Sequence, residues 1–421
     1  MLSHGFTLLF LLTLAAATTM LEGQALPQPP PVSGVHTAPL ERARQYFTEQ
    51  EMARGRAYAR GRYLLFFLRQ ALTLGLFAVL ALTRLSTRLH DLSVSAAGGR
   101  VWLTVALFGL LLGLLYHAVT FPLSLYGRFL REHAFGLSNQ TFASWAQDYA
   151  KGAVISLTIM LPLLILLYAL IRWSPGRWYL PAWVVVVAVM ALIAELSPIL
   201  IDPLFHSFKA VQDPGLVERI RALTDRAGLR VGQILEMDAS RKTKKTNAYF
   251  TGLGPARRVV LYDTLIATSS GEEVELVLAH ELGHWKRHHI WKGIALGAAS
   301  MLVALWLIAG LLNTLAASGR FGFIHPADVR SLPVLLLAFL LLNTVTMPIQ
   351  HAISRAFERQ ADLESLRLTN NPHAFIASEV KLARSNFADI DPPRGIVWLL
   401  YTHPPVLERI AMAEALRAQQ R

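Results

Sequence analysis

Apolar residues gather into seven long runs along the chain, at about 5–21, 63–83, 101–124, 153–171, 179–200, 291–315 and 332–349. A helix needs roughly 20 apolar residues to cross a bilayer. Most of these runs reach that length, so the pattern predicts a mainly α, multi-pass membrane protein. The first run, "FTLLFLLTLAAATTM", fits either a retained span or the apolar core of a signal peptide cut after Ala25. Charge favours the span. With an outside N-terminus, Arg42, Arg44, Arg54, Arg56, Arg60, Arg62, Arg128, Arg131 and Lys151 fall on inside loops, as the positive-inside rule requires.

One long polar insert, 201–289, interrupts the runs. In "DPGLVERIRALTDRAGL", Leu216, Val217, Ile220 and Leu223 recur at helical spacing and Gly228 ends the segment. "VGQILEMD", "TNAYFTGL" and "RRVVLYDTLI" are short and rich in β-branched or aromatic residues, with Gly254 and Pro255 between the last two, and predict a small sheet. Ser270 followed by Glu273 fits a capping box opening a helix that runs into "LVLAHELGHWKRHH". The chain thus divides into a first transmembrane segment or signal peptide (1–25) and a Pro-rich, basic connector (26–62). A four-helix transmembrane region (63–200) and an α+β insert (201–290) follow, then a transmembrane hairpin (291–350) and a C-terminal helical segment (351–421).

Composition agrees with a membrane location: 53% of the 421 residues are hydrophobic and 16% charged, against about 25% charged in soluble proteins. A net charge of +12 raises nucleic acid as a partner. The basic residues, however, lie mainly between apolar runs and form no aromatic-interleaved patch, so no nucleic acid is expected. The chain has no cysteine, which leaves His, Asp and Glu as the only strong side-chain metal ligands.

The chemistry sits in "HELGH". On a helix, His280 and His284 share one face and can grip one ion together, while Glu281 lies about 100° round the axis, in reach of a water but not itself a ligand. In "SRAFERQAD", Ser354, Glu358 and Asp362 also share a face. Glu358 would complete a His2Glu set, and Asp362 could accept the other ring N–H of a ligand histidine. The alternative is a solvated stripe, with Arg355 and Arg359 in surface ion pairs.

"HELGHW", "SRAFERQAD" and "THPPVLERI" (402–410) together resemble the type I CAAX prenyl proteases, a family of integral-membrane zinc endopeptidases of gluzincin type. The resemblance extends to "REHAFGLSNQTFASWAQDYAKG" (131–152), "PILIDPLFHSF" (198–208) and "TNAYFTGLGPARRVVLYDTL" (246–265), and runs with gaps from about residue 110 to 410. It implies about seven transmembrane helices enclosing a chamber, with a small α+β zinc-protease insert. It also implies one Zn2+ held by His280, His284 and Glu358, with Glu281 as catalytic base and Asp362 behind the ligands. Asn247 matches a substrate-binding strand, expected to pair with substrate backbone. His403 and Arg409 match a C-terminal element near the metal, where either could stabilise an oxyanion. Two departures bear on substrate preference. The basic "RKTKK" (241–245) stands where the family usually has Ser and His, and His206 where it commonly has Asn.

Other features have blander readings. His288 and His289 are expected to anchor at the interface with Trp285 and Trp291. Arg69, His117 and Glu195 fall within apolar runs, where ionisable groups either serve function or snorkel. "RKTKK" reads as a solvated or headgroup-facing loop, or, from its place beside the substrate strand, as a binder of acidic or C-terminal carboxylate groups. The expected function is a zinc-dependent membrane endopeptidase acting on peptide or protein substrates at the bilayer, prenylated CAAX-type substrates among them. It would lie in a cell inner membrane, or in the endoplasmic reticulum if eukaryotic, with the catalytic insert facing the cytoplasm. The alternatives are a membrane-protein quality-control protease and a catalytically inactive scaffold or transporter.

Overall fold

The computed structural model of the chain describes residues 39–251 and 258–419. The first apolar run, most of the proline-rich connector and the Gly254–Pro255 turn lie outside these residues. The other six runs all fall within long helices: Glu49–Leu82, Val101–Ala134, Phe142–Trp173, Tyr179–Leu204, His289–Ser318 and Val329–Thr369 are each apolar and long enough to cross a membrane.

The helices and strands used below follow chain order. They are α1 (Pro39–Tyr46), α2 (Glu49–Leu82), α3 (Leu85–Ala97), α4 (Val101–Leu125), α5 (Phe142–Trp173) and α6 (Tyr179–Leu196). Then come β1 (Phe208–Ala210), α7 (Pro214–Arg226), β2 (Gln233–Met237), β3 (Ala248–Thr251), β4 (Arg258–Tyr262) and α8 (Asp263–Thr268). The remainder are α9 (Gly271–Lys286), α10 (His289–Ser318), α11 (Leu332–Thr369), α12 (Pro372–Ser385), α13 (Arg394–Leu400) and α14 (Val406–Gln419).

The chain forms two compact units. Residues 62–192 and 297–346 make a helical unit whose core includes Phe108, Leu112, Tyr168, Ile171, Trp178, Leu312 and Phe323. Gly109 and Gly113, four apart on α4, allow close approach of α5: a Cβ on either would collide with Leu164 or Leu157. Small residues at that spacing are how membrane helices pack tightly without help from water. Two of the ionisable groups in this unit find polar partners. Arg69 donates to Ser124 Oγ at 2.6 Å, and His117 Nδ1 lies 3.3 Å from the Tyr149 hydroxyl.

The other unit, whose described residues are 39–61, 193–251, 258–296 and 347–419, carries the sheet and the histidine helix. Its four strands run in the order β1-β2-β4-β3. β2 and β4 are parallel, while β1 and β3 are antiparallel to their neighbours, so β3 ends the sheet as an edge strand. One sheet face packs Ala248, Val259 and Leu261 against Leu223 of α7 and Leu278, Ala279 and Leu282 of α9. The local signals read from the sequence hold. Gly228 follows α7 at φ +69°, and Ser270 and Glu273 form the reciprocal capping box of α9; the structure adds Asp213 as the N-cap of α7. A second core joins Phe47 and Met52 with Leu366, Phe375, Val380 and Ile410, tying α1 and α2 to α11, α12 and α14.

Candidate metal centre

Two helices make the site, and a glycine sets their distance. Gly283, inside "HELGH", faces Ala361 of α11; a Cβ there would lie 2.8 Å from the Ala361 Cα and carbonyl oxygen. The crossing is pinned on both sides. Ser365 Oγ donates to Leu276 O at 3.1 Å, and buried Glu364 pairs with Lys286 and with Arg287.

At this spacing the polar faces of α9 and α11 meet. His280 Nε2 and His284 Nε2 lie 3.2 Å apart. Glu358 reaches both, Oε2 at 3.2 Å from His280 Nε2 and Oε1 at 3.4 Å from His284 Nε2. Ligand atoms of the three residues all fall within 4.8 Å of one another. The solvated-stripe alternative fails on burial, since Glu358 and Asp362 retain 7% and 0% of their accessible surface. Arg355 is buried too, donating to Val397 O and Tyr401 O. Only Arg359 behaves as that reading expects, in an exposed pair with Glu408.

The donors fit a divalent cation. Glu358 Oε2 is buried without a well-aligned hydrogen bond, its near neighbours being the Nε2 atoms of His280 and His403 at 3.2 Å, a costly state for a carboxylate oxygen unless a cation satisfies it. Burial disfavours charge on His280, yet Asp362 and Glu358 beside it hold its imidazole up at about 10. Around the cluster stand the carboxylates of Glu358 and Asp362 and the guanidinium of Arg409, while burial pushes Glu379 up to about 7, so with the histidines neutral the donors carry net negative charge. Net negative charge with two imidazole nitrogens turned inward suits a borderline ion such as zinc.

Behind the donors, Asp362 Oδ1 lies 2.7 Å from His280 Nδ1. Arg409 grips Asp362 with two hydrogen bonds, at 2.5 and 2.8 Å, and pairs with Glu379 at 2.6 Å. Arg409 therefore touches the carboxylates behind His280. His403 Nε2 lies 3.2 Å from Glu358 Oε2 on an exposed side chain. Glu281 is half-buried on α9, and burial pushes its carboxyl above the usual range. Asn247 is exposed just ahead of β3 and is hydrogen-bonded to none of these groups; its carbonyl accepts from Tyr262 N.

Three participants were not singled out as site residues from the sequence. Glu379 is one. Its signal was a charged residue on the apolar stripe of α12, with Phe375 and Ala383 four positions to either side, all buried. The others are Gln360 and His289. His289 is no interfacial anchor: it is 4% exposed and contacts His284, while Trp291 is 55% exposed. The basic loop is also less free than a solvated run. Lys245 Nζ donates to Tyr58 OH at 2.8 Å, and Arg241 bonds Asp238.

A His-His-Glu donor set on crossed helices, in a chain with six membrane-length apolar helices, defines a membrane metallopeptidase. Comparison with known families gives the particular group. Residues 210–417 match the model of peptidase family M48, and residues 33–207 match the CAAX prenyl protease N-terminal region of five membrane helices. The chain is 30% identical to the metalloprotease YhfN of Bacillus subtilis, over 88% of this chain and 87% of that one. It is also 30% identical to CAAX prenyl protease 1 of Saccharomyces cerevisiae, over 71% and 70% of the two chains. The human CAAX prenyl protease 1 homolog is 28% identical, over 75% and 74%. The crystal structure of Ste24p from S. mikatae shares the fold, with a TM-score of 0.79 covering 88% of this chain and 91% of that one at 24% identity. The chain belongs to peptidase family M48 and is a multi-pass membrane metalloprotease of the CAAX prenyl protease kind.

Proposed function

We propose that the protein is a zinc endopeptidase that cuts membrane-associated substrates, with His280, His284 and Glu358 holding one zinc ion and Glu281 as general base. The observation that carries this reading is the convergence of two imidazole Nε2 atoms and a buried carboxylate, with Glu281 next to His280 on the same helix. Zinc at those donors would supply Lewis acidity, polarising a scissile carbonyl and lowering the pKa of water toward neutrality.

The protein's own groups do the rest. Asp362 accepts the Nδ1 proton of His280, so that Nε2 is the nitrogen that gives up its proton to a metal. Arg409 and Glu379 hold Asp362 in place, so Arg409 works as a positioning residue. Glu281, its carboxyl raised by burial, sits closer to working pH than an exposed glutamate. That suits it to take a proton from the attacking water and return it to the leaving amine. The exposed His403 imidazole can donate to the oxyanion as it forms. The edge of β3 that is unpaired among the described residues, beginning beside Asn247, offers backbone groups to an extended substrate.

Substrates of prenylated CAAX type are supported by the relatives called CAAX prenyl protease 1. A cytoplasm-facing catalytic unit, in a cell inner membrane or the endoplasmic reticulum, is supported by the arginine-rich loops. The test is to purify the full chain in detergent, measure zinc stoichiometry, and follow cleavage of matched prenylated and plain peptides by wild type and Glu281→Gln. One zinc per chain and loss of cleavage in the variant are expected. Unchanged cleavage by Glu281→Gln overturns the mechanism; equal rates on both peptides remove the prenyl preference.

A further inference from the structure

His280 has a visible device that fixes its tautomer, the Asp362 carboxylate. His284 needs the same outcome, a free Nε2 lone pair and a proton on Nδ1, but no carboxylate lies at its Nδ1. What lies there is another imidazole: His289 Nδ1, 3.1 Å away.

The direction of that contact follows from the next atom along. His289 Nε2 is 3.0 Å from Gln360 Oε1, and an amide oxygen can only accept. The single proton of neutral His289 is therefore on Nε2. Its Nδ1 is then a lone pair, so the hydrogen between the two rings belongs to His284 Nδ1. Nε2 of His284 is left unprotonated, facing His280 and Glu358.

The local fold builds this contact at some cost. His288 is in the left-handed region, φ +56°, a backbone state unfavourable for a non-glycine residue. The turn ends α9 and starts α10 at once, bringing His289 back against His284. The His289 ring then stacks on Phe357, centroids 4.4 Å apart and planes within 7°. Gln360 is buried at 6% exposure, so bulk water does not compete for its oxygen. Phe357 and Gln360 flank the ligand Glu358 on α11.

We infer that His289, oriented by Gln360 and Phe357, is a positioning residue that fixes the metal-binding tautomer of His284. The inference rests on the proposed metal site, and zinc affinity tests it without reference to turnover. The full chain in detergent is titrated against a chromogenic zinc chelator, with the apo-protein melting temperature as a folding control. His289→Leu should weaken zinc binding about 10- to 100-fold, the usual cost of losing such a partner, and Gln360→Leu should weaken it in the same direction. His289→Asn, whose amide oxygen can take the place of Nδ1, should recover most of the loss. If His289→Leu does not fold, Gln360→Leu and His289→Asn still decide. Wild-type affinity in the folded leucine variants overturns the inference, as does His289→Asn binding no better than His289→Leu, since packing on Phe357 would then be the whole role. A wild-type chain that binds no zinc overturns the metal site as well.

Discussion

Gly283 and Ala361 touch backbone to backbone, with no room between them for one further carbon. That contact sets how near the histidines of α9 come to Glu358 on α11. Gly283→Ala should force the helices apart, costing about 1–3 kcal/mol and weakening zinc binding together with the melting temperature. Zinc affinity and melting that both match wild type would show that the crossing is not set by this contact.

Glu281 is next to a ligand but is not one of the converging atoms. Glu281→Gln should therefore keep its zinc and its melting temperature while losing activity on the order of 10²–10⁴-fold, the scale of general base catalysis. Zinc content and peptide cleavage on the same preparation check this. Loss of zinc in the variant would make Glu281 a ligand.

Metal removal gives a separate readout. A ligand present at 1,000 times its Kd stabilises the folded state by about 4 kcal/mol. Stripping wild type with a chelator should lower its melting temperature, and added zinc should restore it. Glu358→Ala should melt alike with and without zinc, because its carboxylate links both histidines. A zinc response in that variant would remove Glu358 from the donor set.

Arg409 is the shared partner of two buried carboxylates, Asp362 and Glu379. Arg409→Leu should be strongly destabilising, roughly 3–5 kcal/mol, because it strands the buried Asp362 charge and removes the partner of Glu379, whose carboxyl burial already pushes up to about 7. The double variant Arg409→Leu with Glu379→Leu should recover part of that loss, so the two changes will not add. Thermal melts of the four proteins complete the cycle; strict additivity would mean that the pair is not energetically coupled.

How much of this was readable beforehand follows the range of each interaction. The apolar runs, the capping box of Ser270 and Glu273, and the two-histidine face of α9 all depend on residues close in the chain. Sequence spacing exposes them. Glu358 and Asp362 also declared a common face, but their burial comes from α9, which lies some 80 positions earlier. β1, only three residues long, was too short to show alternation. His289 was misread because its neighbours Trp285 and Trp291 suggested an interface. The left-handed turn at His288, which redirects its side chain, has no signature in hydrophobic spacing.

Among the described residues β3 has a partner along one side only, β4. A strand edge presents N–H and C=O groups, the one feature every peptide has in common, so an extended chain laid along it would be gripped with little regard to its side chains. Such an edge is a poor reader of sequence. The protein's choice of what to cut would then rest on delivery: which chains arrive at that edge unfolded and long enough to lie flat. An anchor in the bilayer is one way to make such an arrival frequent.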